Sequence, residues 1–314
     1  MRPCSLTVLS QLSPVSDSAL DSAMPSQTLD PYTASVINAT GPATTPRVRQ
    51  VFSSMIAHLH DFLRENKVTV DEWMLGVDMI NRIGKMSDER RNEGILVCDV
   101  LGVESLVDAL TYDLESNDHT KSAIIGPFYR ENSPQYPNGA SIIQKDLGGD
   151  RAVVHGHVKG VDGLPIKGAR VEVWHTAPNG LYEQQDPEQP EYNLRGTFFT
   201  DDNGYYEFVG LRPTSYPIPF DGPAGDILQL LDRHPYRPGH IHFLVSAPGH
   251  RRLITQIFDS EDPYVENDSV FAVKGELVVT FQPSTSEKAP FEVVYDVVLP
   301  TSEEVAAYES TKKK

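Results

Sequence analysis

A chain of 314 residues, 39% hydrophobic and 23% charged, carries enough apolar surface for one large core or two modest ones. Its 44 acidic and 27 basic side chains give a formal net charge of -17, which argues against a nucleic-acid backbone or an anionic membrane as partner and for a small-molecule substrate. Two cysteines, Cys4 and Cys98, make neither a disulfide framework nor a zinc site, and no apolar run reaches the roughly 18 residues of a membrane span, so a reducing, cytoplasmic setting is expected.

Residues 1–45 are rich in Ser, Thr, Pro and Ala and lack a sustained apolar stretch, which predicts a disordered extension. Asp17, Asp21 and Asp30 weigh against an organellar transit peptide. From Pro46 the pattern turns helical. Val51, Met55, Leu59 and Phe62, joined by Phe52, Ile56 and Leu63, recur at three-and-four spacing. Thr69 with Glu72 reads as a capping box that opens a second helix through Trp73, Val77, Ile80 and Ile83. Ser87 is expected to cap a third, running through Ile95, Cys98, Leu101 and Leu106. A helical module is thus predicted over residues 46–120, its apolar faces reading mostly as packing surface.

After "IIGPFYRENSP" (Ile124 to Pro134) the hydrophobic period changes to two and turn residues recur at short intervals. The prediction is a mainly-β fold with a helical N-terminal module: an antiparallel β-sandwich over residues 121–302 and a polar tail over 303–314. Strands are expected at His240 to Ser246, Leu253 to Phe258, Glu276 to Phe281 and Phe291 to Val298. The pair "GLPIKGARVEVW" and "TDDNGYYEFVGLRP" resembles sandwiches of the transthyretin-like type, many of which only bind or support partners. A non-catalytic binding or structural sandwich is therefore the alternative.

"RHPYRPGHIHF" sets His240 and His242 two residues apart on an expected strand, where alternate side chains share a face and two imidazoles project toward one point. A His-x-His on a strand also serves cores and hydrogen-bond networks. His155 and His157 repeat the spacing with no other candidate ligand nearby and read as solvent-facing or structural. Upstream, Tyr216 stands in a Pro-stiffened turn with Pro217 and Pro219. It is either an aromatic stacked on prolines or a phenolate ligand, a hard oxygen donor suited to Fe(III).

The run from Gly126-Pro127-Phe128-Tyr129 through "GLPIKGARVEVWHTAPNGLY", "YNLRGTFFTDDNGYYEF", "YPIPFDGP", "RHPYRPGHIHF" and "DSVFAVK" resembles the intradiol ring-cleavage dioxygenases, over nearly all of residues 46–300. The resemblance implies one non-haem Fe(III) per subunit, held by Tyr182, Tyr216, His240 and His242, with O2 and a small aromatic diol or triol as substrates. It makes Tyr216 an axial ligand and general base, His242 the opposite axial ligand, and Tyr182 and His240 equatorial. Arg237 falls beside the ring, where its charge stabilises developing negative charge, and Gln256 becomes a supporting hydrogen-bond donor. The implied pocket comprises Leu96, Asp99, Ile124, Ile125, Gly126, Pro127, Phe128, Ile218, Pro219, Arg237 and Val270. The helical module becomes a dimerisation module, giving a homodimer through the N-terminal helices. Zinc or ferrous chemistry on the histidines alone is a further alternative.

"GPF", "RGTF" and "DSVFAVK" point within the family to hydroxyquinol (benzene-1,2,4-triol), cleaved to 3-hydroxy-cis,cis-muconate or maleylacetate. Asp99 is expected to accept a hydrogen bond from the extra hydroxyl. "TQIF" and Ala272 depart toward catechol, the alternative substrate, which would give cis,cis-muconate. A carboxylated diol would need a second cation besides Arg237, and none stands out.

Overall fold

The structure is a computed structural model that describes residues 29–89, 91–112 and 118–312. The chain divides into two compact units, one up to Ile80 and one from Asn81.

The first unit is helical. Helix α1 (Pro31–Asn38) opens with Pro31 and is capped by Asp30, whose carboxylate accepts from the Tyr32 and Thr33 amides. Residues 31–38 therefore depart from the expected disordered extension, because this cap and a tertiary clasp stabilise a short helix. Residues 1–28 of that extension lie outside the described residues. The clasp comes from α2 (Pro46–Glu65), where Arg64 donates to Asp30 (2.8 Å) and to the buried Thr33 hydroxyl (2.6 Å). Helix α3 (Val70–Met86) starts at the expected capping box, with the Glu72 carboxylate accepting from the Thr69 amide (2.8 Å) and the Glu72 amide donating to the Thr69 hydroxyl (3.3 Å). Ser53 and Ala57 are the buried residues of α2, whereas Met55, Leu59, Phe62 and, on α3, Trp73 are exposed. The apolar stripe expected to pack is thus open to solvent in the single chain.

In the second unit, the expected third helix is two. Asn92 caps α4 (Glu93–Val100) by accepting from the Ile95 amide. Ser87 lies just beyond α3, its hydroxyl donating to the Ile83 carbonyl and accepting from the Glu93 amide. Gly102, at φ +70°, breaks the run before α5 (Val103–Tyr112).

Two sheets follow. The first is built on β1 (Arg151–Gly160) and the second on β2 (Arg170–Trp174) and β3 (Arg195–Phe199). After β4 (Tyr205–Leu211) come a two-residue strand β5 (Tyr216–Pro217), helix α6 (Pro223–Leu230) and β6 (Tyr236–Arg237), which pairs with β5 as a ribbon. The chain continues through β7 (His240–Ser246), β8 (Leu253–Asp259), β9 (Val278–Val279), β10 (Gln282–Pro283), β11 (Phe291–Val294), β12 (Val297–Leu299) and helix α7 (Ser302–Lys312). One sheet has the order β10-β11-β1-β12 with β4 on β1, and the other β3-β2-β7-β8-β9. Val154, Val171, Phe198, Phe208, Ile241, Phe243 and Ile257 belong to the largest buried apolar cluster, contributed by both sheets.

The sandwich is mixed rather than purely antiparallel: β11 and β12 run parallel to β1, and β9 parallel to β8. The strand expected at Phe291 to Val298 is split around Tyr295, whose carbonyl comes so close to β1 that a Cβ on Gly156 would lie 2.0 Å from it. Only glycine admits that crossing. The strand expected at Glu276 to Phe281 reduces to a 3-10 turn at Gly275–Leu277 followed by β9. Leu96 and Val100 of α4 are buried with Ala224 and Leu228 of α6 and with Val270, and α4 and α5 lie in the second unit. The polar tail is the helix α7. No helix among the described residues is long and apolar enough to cross a membrane.

Candidate active site

Alternation along β7 places the site. Ile241, Phe243 and Val245 join the sandwich core, so His240 and His242 turn to the opposite face, their ring centroids 4.8 Å apart. Pairing fixes their neighbours: Trp174 and Gln256 stand opposite His242 on β2 and β8, and Phe258 stands opposite His240. The Trp174 ring stacks on the His242 imidazole at 4.6 Å and 6°. The β5–β6 ribbon sets Tyr216 directly across from Arg237. Tyr182 opens a 3-10 turn at Glu183–Gln185, its amide bonded to Gln185 Oε1. Its segment presses close to Tyr216, because a Cβ on Gly180 (φ +80°) would fall 2.8 Å from the Tyr216 Cβ. Phe128 stacks on the Tyr182 ring at 4.6 Å, and the Arg195 guanidinium, held by Glu183 at 2.6 Å, lies 5.6 Å from the ring centroid.

Four donor atoms close a ring. Tyr182 Oη lies 3.3 Å from Tyr216 Oη and 3.1 Å from His242 Nε2, while His240 Nε2 lies 3.5 Å from Tyr216 Oη and 3.2 Å from His242 Nε2. Atoms bound at about 2.0–2.2 Å to one central ion are separated by similar distances. His240 Nδ1 lies 2.8 Å from the Pro238 carbonyl and donates to it, which leaves the Nε2 lone pair facing the centre. Burial and the Arg237 charge keep His240 neutral far below the usual imidazole range; burial, His240 and Arg237 do the same for His242. Burial raises both phenols, Tyr182 further by the adjoining Tyr216, while Arg237 opposes the rise at Tyr216. Two phenol oxygens and two neutral imidazoles make a donor set that, with the phenols ionised, suits a hard trivalent ion. Among the described residues no group of three or more His, Cys, Asp and Glu side chains is placed to hold a metal. A metal here needs the tyrosines.

Arg237 is 4% exposed and fully engaged. Its Nε and Nη2 meet Asp268 Oδ1 (3.2 Å) and Oδ2 (3.3 Å), Nη2 also donates to Gln256 Oε1 (2.9 Å), and Nη1 lies 3.0 Å from His240 Nε2. Burial works against its charge, but Asp268 and the two phenols outweigh it and raise the guanidinium pKa. Gln256 makes both a donor and an acceptor contact beside the site. Its amide N–H is given to the Ile124 carbonyl (2.7 Å), and its oxygen accepts from Arg237.

Of the expected pocket residues, Leu96, Ile124, Ile218 and Val270 share one buried cluster, and Phe128 belongs to the cluster of Trp174, Tyr182 and Tyr216, with Ile125 packed against it. Gly126, at φ +70°, passes so close that a Cβ there would be 3.6 Å from His242 Cε1. Pro127 and Pro219 are half-buried neighbours in the same two segments. Asp99, on the buried side of α4, carries an oxygen, Oδ1, with no hydrogen-bond partner. His155 and His157 lie elsewhere, on β1, beside the Tyr205 ring, with His157 Nδ1 3.5 Å from Asp296. Asp268, Glu104 and Trp174 are the neighbours that sequence reasoning did not single out. The signal for Asp268 was present, since it opens "DSVFAVK" and its carboxylate accepts from the Val270 and Ala272 amides of that motif.

Comparison with known proteins places this geometry in context. A family model described as "Dioxygenase" matches residues 124–301, and one described as "Catechol dioxygenase N terminus" matches residues 45–119. Catechol 1,2-dioxygenase of Candida albicans is 53% identical over 282 residues, covering 87% of this chain and 93% of the relative. Hydroxyquinol 1,2-dioxygenase of a Rhizobium species is 41% identical over 238 residues, 76% of this chain and 80% of the relative. The crystal structure of hydroxyquinol 1,2-dioxygenase from Pseudomonas putida superposes with a TM-score of 0.79 at 38% identity, covering 86% of this chain and 98% of that one.

Proposed function

The chain belongs to the intradiol ring-cleavage dioxygenases, and from that premise we propose that it binds one ferric ion through Tyr182, Tyr216, His240 and His242 and opens the ring of hydroxyquinol with O2. The observation that carries the iron assignment is the closed ring of two phenol oxygens and two imidazole nitrogens with edges of 3.1 to 3.5 Å. The one that favours hydroxyquinol is the buried, unpartnered carboxyl oxygen of Asp99, on the same helix face as Leu96. The second reading is catechol, favoured by the 53% identity to a catechol 1,2-dioxygenase.

When bound, the ferric ion supplies the Lewis acidity that ionises the diol and the electronic coupling that makes its ring reactive toward O2. The side chains do the rest. Tyr216 Oη, as a phenolate that Arg237 directly across the ribbon helps to keep ionised, would accept a diol proton as substrate docks. Arg237 holds a permanent positive charge beside the ring, stabilising negative charge as it develops. Asp268 and Gln256 fix that guanidinium from two sides. Leu96, Ile124, Phe128, Ile218 and Val270 supply an apolar wall that holds the ring and excludes water. Among the pocket residues named above Arg237 is the single cation, which does not favour a ring carboxylate. The exposed Met55, Leu59, Phe62 and Trp73 support a homodimer through the N-terminal helices, which would cover them.

Oxygen uptake by the iron-loaded protein with hydroxyquinol and catechol in parallel, corrected for hydroxyquinol autoxidation, tests this reading. A higher kcat/KM for hydroxyquinol is expected. A higher value for catechol would keep the reaction and overturn the substrate, and uptake with neither would overturn both.

A further inference from the structure

Arg195 is a buried cation that the mechanism above leaves unused. It opens β3 opposite Trp174, which stands opposite His242, which in turn stands opposite Gln256, so these four residues form one row across β3, β2, β7 and β8. Phe198 and Val173 turn to the sandwich core, which leaves Arg195 and Trp174 on the face that carries His242. The chain reaches Arg195 through Tyr192 and Leu194, both in the left-handed region at φ +62° and +59°, a conformation that residues with side chains hold only where the surroundings impose it. The Arg195 side chain is 1% exposed. Its Nε donates to Glu183 Oε2 (2.6 Å) and its Nη2 to Gln184 Oε1 (3.3 Å), which ties the 3-10 turn opened by Tyr182 to the sheet. The other Glu183 oxygen, Oε1, accepts from Arg130 Nη1 (2.8 Å). Two guanidiniums thus share one carboxylate, and a net positive charge remains beside the Tyr182 ring, whose centroid is 5.6 Å from the Arg195 guanidinium carbon.

We propose that Arg195 is a positioning residue for Tyr182: through Glu183 and Gln184 it fixes the turn that carries the phenol, and its charge sets how strongly that oxygen donates to the metal. The proposal rests on the four-donor metal site given above. Each phenol of that donor set then has its own buried guanidinium, Arg237 across the ribbon from Tyr216 and Arg195 against Tyr182. In so dry a setting a fixed charge acts at close to full strength on a neighbouring anion. A cation beside a phenolate stabilises its electrons, so more energy is needed to move one of them onto a bound metal ion. Taking the cation away lowers that energy, and taking the Glu183 carboxylate away raises it. An ion pair that served only to fasten the turn would behave differently, since cutting either partner would loosen Tyr182 in the same way.

The test is the position of the visible phenolate-to-iron band of the iron-loaded protein in Arg195→Met, Arg195→Lys and Glu183→Gln, together with iron affinity measured by competition with a chelator. Arg195→Met removes a positive charge and should move the band to longer wavelength. Glu183→Gln removes a negative charge, keeps an acceptor oxygen for a guanidinium, and should move the band to shorter wavelength. Arg195→Lys keeps the charge and should leave the band near its wild-type position. Iron affinity should fall about 10–100-fold in Arg195→Met, the range associated with cutting the outer support of a metal ligand. Should Arg195→Met fail to fold, the direction of the Glu183→Gln shift decides alone. Bands that do not move, or that move in the same direction in Arg195→Met and Glu183→Gln, would overturn the proposal, as would an Arg195→Lys band displaced as far as that of Arg195→Met. A wild type that binds iron without the band would overturn the two-tyrosine site itself, and the proposal with it; a wild type with the band and unresponsive variants would overturn the role of Arg195 alone.

Discussion

Replacing Arg237 separates its two duties, which the structure ties to one residue. In Arg237→Met the Asp268 carboxylate stays buried with only the Val270 and Ala272 amides and no cation. Breaking a buried ion pair from one side in this way costs about 3–5 kcal/mol, because an uncompensated charge is left behind. Adding Asp268→Asn removes that charge while keeping an oxygen for the amides, so the double variant should recover to within about 2 kcal/mol of wild type. Turnover should not recover, since the positive charge beside the ring is still missing. A loss of about 10²–10³-fold in kcat is expected of both variants, the size associated with removing one preorganised electrostatic contact. Urea denaturation of the metal-free proteins and oxygen uptake by the loaded ones read the two effects apart. A double variant as unstable as the single would show that Asp268 is not the buried charge at issue. Recovered turnover would show that Arg237 serves the fold and not the chemistry.

Tyr216→Phe should lose activity and much of the visible absorption of the loaded protein; retention of both would remove Tyr216 from the metal site. Replacing His155 and His157 together with Ala should leave iron content unchanged by metal analysis, because both lie on β1 beside Tyr205 and away from the donor ring. His175 is buried, its Nδ1 bonded to the Thr176 carbonyl, and burial, with a smaller push from Arg195, lowers its pKa to about 4 from 6.5. The folded-state value lies below the unfolded one, so its contribution is intact above about pH 6.5 and is lost as pH falls toward 4, by about 3 kcal/mol in all. Denaturation of wild type and His175→Gln across that window should show a shallower fall in the variant, and parallel curves would contradict this assignment.

The parts of the site that depend on local geometry were legible in the sequence. Strand alternation suffices to bring His240 and His242 to one face, and the prolines around Tyr216 mark a stiff turn. The Thr69–Glu72 capping box was likewise visible, being a four-residue signal. Tyr182 follows a Gly-Leu turn with no local hint of chemistry, and only resemblance to a family raised it. What failed was what depends on tertiary placement. Ser87 and Asn92 are both competent caps, and the choice between them is made by how the chain leaves α3. Parallel pairing of β11 and β12 with β1 joins segments well over a hundred residues apart, beyond any periodicity signal. The raised pKa of the Asp99 carboxyl comes first from burial and then from Glu104, which no spacing rule pairs with a pocket residue.

The most direct test of the central claim is the iron content of the purified, iron-loaded protein measured with its visible spectrum. One iron per chain with a broad phenolate-to-iron charge-transfer band is expected if Tyr182 and Tyr216 are ligands. A colourless protein, with or without bound iron, would contradict the two-tyrosine, two-histidine site.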